Sequence, residues 1–203
     1  MDDNDDKPGK TGKPRKSNIT DNDSAKMKTS KGVIQGYDVF LNRDLSLAVL
    51  DTSGVVSLMT FFATGGDYVG IGLLGAAMAI WTGVVDADGT YAYGNAIVNV
   101  DFGSPDGVNA GYRERDYAFV YNPGWFTRLG PGVVSSADFA EDDFVVAGFW
   151  PNWATSGAAG SPVVIHTSFG DTDVTLTGLD LTFLGHTKNS FRLLANAIYN
   201  GLD

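Results

Sequence analysis

The chain has 203 residues with 26 Gly, no Cys and a formal net charge of −10, a length that fits one domain able to bury a sizeable core. The lack of Cys excludes disulfides, thiolate metal sites and a Cys nucleophile, and with no run of 18 apolar residues a transmembrane helix is not expected. Residues 1–35 carry 8 basic and 6 acidic side chains, so the rest holds −12, a surface that repels a phosphate backbone and argues against nucleic acid as a partner.

In chain order, residues 1–31 offer almost no large apolar side chain beyond Ile19 and Met27. Such a segment does not bury enough surface to offset its ordering entropy, so it is expected to be a disordered charged linker, with the domain at 32–203. It contains no apolar core of the signal-peptide kind. Its Asp-rich stretches lack the spacing of a calcium loop.

Tyr37–Leu41 reads as a strand. A helix is expected from about Ser53, with Val55, Leu58, Met59 and Phe62 on its buried face, Thr52 or Ser53 as its cap, and Gly65-Gly66 at its end. Tyr68–Ile71 is a buried strand and Leu74–Trp81 a short helix. This strand–helix–strand–helix order implies a parallel sheet covered by helices.

From there the chain turns β-rich. Asn95–Asp101, Tyr117–Tyr121, Phe144–Trp150, Pro162–Thr167 and Thr172–Gly178 read as strands separated by Gly, Pro, Asn and Asp. Val174 and Leu176 alternate with polar neighbours, the pattern of a half-buried strand, and Ser168–Asp171 is the hairpin loop before it. The last element is a helix with Phe191, Leu194, Ala195 and Ile198 on one face, capped by Thr187 or Asn189 and stopped by Gly201.

Few motifs carry chemistry. Gly70-Ile-Gly72-Leu-Leu-Gly75 fits the glycine spacing of a dinucleotide-binding turn, yet the acidic residue that should lie about 20 positions on is not at a strand end. It reads better as a tight strand-to-helix turn. The same segment is similar to the nucleophile elbow of class I glutamine amidotransferases, with Gly72 or Leu73 where the Cys would fall. Neither can attack an amide, which excludes that chemistry.

His166 and His186 lack the partners of a zinc site, which needs about three ligands. His166 lies in an apolar strand as a structural residue, and His186 precedes the last helix. No Gly-x-Ser-x-Gly elbow occurs, the Ser156–Ser161 stretch is a flexible loop, and Asp138–Asp143 is a solvated acidic loop. No catalytic residue, metal ligand or cofactor is therefore assigned. The aromatic segments Tyr121–Phe126 and Phe149–Trp153 place rings beside Pro and Gly. Packing in the core or between elements is the first reading of these rings, and Tyr121, Trp125 and Trp153 are the candidates for the alternative, a surface that stacks on peptide or glycan.

Several stretches together carry a resemblance. They are Phe61–Gly72, Ala110–Tyr112, Phe119–Thr127, Val146–Trp150, Val174–Gly178 and the closing Phe183-x-x-His186-x-x-x-x-Phe191–Ile198. Over about 36–202 the chain resembles the C-terminal glutamine-amidotransferase-like region of large secreted bacterial zinc carboxypeptidases. The peptidase module, with its zinc ligands and catalytic Glu, is not on this chain. The resemblance implies an α/β fold, flavodoxin-like or class I glutamine-amidotransferase-like, with helices on both faces of the sheet and a β-rich insertion. It also implies an extracellular, non-catalytic accessory domain that supports the peptidase or engages its substrate, with the peptidase module as partner in cis or in trans and no membrane partner. A hydrolase with an unrecognised site and a nucleotide-binding domain at Gly70–Gly75 are the alternatives.

Overall fold

In the computed structural model the described residues are 34, 36–43, 45, 48, 50–105, 107–151, 157–183 and 188–199. The linker expected at 1–31 lies outside them, as do Trp153, Ser156, His186, Thr187 and Gly201.

The chain opens with β1 (Val39–Asn42), α1 (Thr52–Ala63), β2 (Asp67–Ile71) and α2 (Gly72–Trp81). The α1 start is capped by Asp51, not by Thr52 or Ser53, its carboxylate accepting the Gly54 N–H at 2.8 Å. At the other end Gly66 N–H returns to the Phe61 carbonyl and Gly65 N–H to that of Phe62. This Schellman closure uses the left-handed φ of 79° at Gly65. The buried face of α1 is Leu58, Phe61 and Phe62, whereas Met59, expected inside, is 36% exposed.

Eight strands form one mixed sheet. Besides β1 and β2 it contains β4 (Asn95–Phe102), β5 (Arg115–Tyr121), β7 (Val134–Phe139), β8 (Val145–Phe149), β9 (Pro162–Phe169) and β10 (Thr172–Thr177). The order is β1-β2-β10-β9-β7-β4-β5, with β8 also on β4. Only β1, β2 and β10 run parallel to one another, and every other pairing is antiparallel. β3 (Ala87–Tyr91) and β6 (Gly124–Leu129) form a separate two-stranded antiparallel sheet.

Three of these strands, β3, β6 and β7, are not among those the sequence pattern predicts. In β6, Trp125 and Phe126 alternate to opposite cores, so the aromatic pair after Asn122-Pro-Gly is strand and not loop. Asp138 likewise sits in β7, and only Glu141–Asp143 form the acidic turn. β10 is buried on both sides, since Thr175 and Thr177 are 6% and 1% exposed alongside Val174 and Leu176. That is the expected environment of a strand between two neighbours with layers above and below.

The sheet separates two cores. On one side Phe40, Phe61, Phe62 and Tyr68 cluster in edge-to-face and tilted pairs, with ring centroids 5.6–6.2 Å apart, under α1 and α2. On the other side Val69, Ile71, Val98 and Val100 share one buried core with Leu193 and Ala197 of α3 (Phe191–Tyr199). Helices therefore cover both faces. Leu193 and Ala197 are the buried residues of α3, while Phe191 is 44% exposed, which rotates the docking face away from the one the spacing suggested. No helix among the described residues is long and apolar enough to cross a membrane.

Candidate functional site

In open α/β sheets ligands bind outside the carboxyl ends of the parallel strands. Here those ends belong to β1, β2 and β10, and the β2–α2 junction lies among them. Gly72 sits at the junction with φ of 66°, a conformation L side chains rarely adopt. Its N–H donates to the Leu179 carbonyl just past β10 at 3.2 Å. No atom lies within 4 Å of where a Gly72 Cβ would project. The position is thus an open strand-to-helix turn, which glycine takes without strain and which carries no side chain.

The flanks of the elbow are built for close approach. A Cβ on Gly75 would fall well under 3.0 Å from the Asn42 carbonyl oxygen, and one on Gly70 would meet the Gly75 carbonyl oxygen at 2.9 Å. The α2 helix can therefore press onto β1 and β2. A buried network fixes this contact. Tyr68 donates its hydroxyl to the Gly75 carbonyl at 2.6 Å, and Asn42 Nδ2 donates to the Tyr68 oxygen at 2.7 Å. Burial raises the Tyr68 pKa against the smaller opposing effect of Asn42. The hydroxyl stays a donor at every physiological pH.

One ion pair lies at the same sheet edge. Arg43, next after β1, meets Asp180, past β10, in a two-pronged contact of 2.8 and 3.3 Å. Burial pushes the Asp180 carboxyl up, but Arg43 and the Thr182 N–H and hydroxyl outweigh it and hold it below 3.8. The edge can orient a polar group or hold the chain ends together. Among the described residues, Gly72 and its successors Leu73 and Leu74 carry no thiol, hydroxyl or base.

The other sequence candidates scatter. Trp125 is 2% exposed and packs against Trp150 with centroids 6.1 Å apart. It is a core side chain and cannot serve as an open stacking surface, because its strand buries both alternating faces. Tyr121 is 40% exposed and stacks on Phe183 at 4.2 Å. Trp153 and His186 lie outside the described residues. His166 is a third exposed, 3.7 Å from Asp173, and opens onto a polar hollow of about 440 Å³ lined also by Ser104, Asn109, Ser135 and Ser136. The sequence reading missed this hollow, because its residues come from three separate segments.

The dinucleotide reading of Gly70–Gly75 loses its frame here. The strand after α2 is β3, which pairs antiparallel with β6 in the smaller sheet. No β–α–β return beside β2 follows from it, and the Gly72 N–H is already bound.

No protein-family model matches the sequence, and no curated protein matches it. Solved structures do. A GMP-synthase-type protein from Thermoplasma acidophilum superposes with a TM-score of 0.56 at 10% identity, over 87% of this chain and 78% of that one. A ThuA-like protein from Bacteroides uniformis gives 0.56 at 14% identity, over 86% and 73%. A ThuA-like protein from Parabacteroides merdae gives 0.51 at 11% identity, over 81% and 70%. The chain shares the mixed α/β fold of these GMP-synthase-type and ThuA-like proteins.

Proposed function

We propose that this chain is a non-catalytic accessory domain associated with an extracellular zinc carboxypeptidase, acting to support the peptidase or engage its substrate. The observation that carries the non-catalytic half is Gly72. The reading is supported by the strand-to-helix turn after β2, which has open space above it and holds a residue that can neither attack nor transfer a proton. The association with a peptidase rests on the sequence resemblance over about 36–202, and the extracellular location and the peptidase partner come with it.

The test is a paired measurement on the full chain. Alone, it is expected to release neither ammonia from glutamine nor a C-terminal residue from a peptide. Added to a secreted zinc carboxypeptidase of the resembled kind, it is expected to bind it or to lower its KM for protein substrates. Turnover by the purified chain that persists on repurification refutes the non-catalytic half. Absence of binding and of any kinetic effect refutes the association.

A further inference from the structure

β8 leaves one edge open. It pairs with β4 through Asn95↔Phe149, Ala96↔Gly148, Ile97↔Ala147 and Val98↔Val145, and no strand pairs with its other edge among the described residues. The sequence of this strand is Val-Val-Ala-Gly-Phe. Sheet edges are ordinarily blunted by Lys, by inward charges or by Pro within the strand, and none occurs in it. All five residues are exposed, Val146 by 49% and Phe149 by 64%. On the face that carries Phe149, Ile97 of β4 is 41% exposed, and beyond Asn95, the direct partner of Phe149, Tyr121 of β5 is 40% exposed. An apolar, partly aromatic surface thus continues inward from an unpaired backbone edge, the combination that strand addition uses.

Charge selects the occupant. Glu141, Asp142 and Asp143 lie exposed immediately before β8. Arg115 is already held by Asp101 and Asp142. Glu141 and Asp143 have no ion pair among the described residues. A second copy brings another net −10 to the contact, and the bulge at Val146 twists the edge away from flat self-pairing. A single strand with cationic residues meets neither obstacle.

We propose that β8 docks an extended protein segment by antiparallel strand addition, with apolar residues along Val145–Phe149 and a basic C-terminal flank against Glu141–Asp143. This rests on the accessory-domain reading, in which the segment belongs to the peptidase.

The probe is a labelled peptide, Val-Thr-Val-Thr-Val-Lys-Lys, added to the full chain, with Val-Thr-Val-Thr-Val-Glu-Glu as its counterpart. Anisotropy is expected to show saturable binding of the basic peptide, weaker by about tenfold for the acidic one. Hydrogen exchange is expected to slow at Val145–Phe149. Val146→Lys, at an exposed site, is expected to abolish binding with an unchanged melting temperature. Sedimentation of the chain alone is expected to show a monomer. Equal binding of both peptides, no binding of either, or protection elsewhere overturns the proposal. So does a dimer that Val146→Lys dissolves, which would assign the edge to a second copy. These outcomes leave the catalytic test untouched, since turnover at the elbow and docking at β8 are read separately.

Discussion

Replacing Gly75 by Ala pits two local effects against each other. Gly75 lies in α2, and an exposed helical Gly→Ala exchange gains roughly 1 kcal/mol. At this position the new methyl points into the Asn42 backbone, closer than any real Cβ contact. Backbone cannot rotate aside as a flexible side chain would, so α2 must lift from β1 and β2. Overpacking of this kind costs about 1–3 kcal/mol. Lifting also lengthens the Tyr68 hydroxyl bond to the Gly75 carbonyl, a further ~0.5–1.5 kcal/mol. The expected net loss is about 1–3 kcal/mol, or a Tm lower by roughly 2–10 °C for a chain of this size. Denaturant and thermal unfolding followed by far-UV circular dichroism measure it. Gly72→Ala is the control, because it meets no crowding and carries only the left-handed backbone strain of about 1–2 kcal/mol. Tyr68→Phe should couple to Gly75→Ala in a double-mutant cycle. A Gly75→Ala protein that melts at or above the wild-type temperature would show that propensity outweighs contact and that the close approach is not there.

Trp125→Ala is expected to cost about 3–5 kcal/mol in unfolding experiments, as for other buried large rings, while Tyr121→Ala should fall within about 1 kcal/mol. The reverse order would put Trp125 outside the core. Asp180 has a folded pKa below its ordinary value, so the stability it contributes is present above about pH 4 and lost as pH falls through the folded pKa. Asp180→Asn should therefore lower stability at pH 7 and flatten the acid limb of the stability profile, the two proteins converging at low pH. Parallel curves down to about pH 2 would contradict the assignment.

The parallel half of the sheet was legible because its signals are local. Tyr68–Ile71 is a short apolar run between glycines, and the helix after it follows within the next few residues. The β6 strand was not, since Asn122-Pro123-Gly124 reads as a turn and the turn is real. Asn122 takes a φ of 47° there, and the strand begins immediately after it. Trp125 next to Phe126 breaks the alternation expected of a half-buried strand, because β6 has a core on either side. The face of α3 was displaced for a related reason. Phe191 looks like a core residue by type, but Tyr112 and Asn196 set the helix. The Tyr112 hydroxyl accepts the Leu193 N–H at 3.0 Å, and the Asn196 amide bonds the Val108 and Ala110 carbonyls. At the elbow the sequence showed the missing nucleophile. It could not show that Gly72 adopts a positive φ, nor that Arg43 and Asp180, 137 positions apart, meet at the same sheet edge.

The position of β10 bears on how the chain is made. This strand joins β2 to β9 in the middle of the sheet, and Asp173 meets Asp67 across 106 positions. During synthesis β1 and β2 leave the ribosome long before the strand that connects them to the rest. Until then the backbone of Tyr68–Ile71 has an unsatisfied side, and so does that of Val164–Thr167. Such long-range closure slows folding and leaves two apolar borders open to wrong partners in the meantime. The nascent chain therefore has a window, closed only by Thr172–Thr177, in which a holding chaperone has the most to do. Mutations that weaken β10 should appear first as lost yield rather than as a lowered melting temperature.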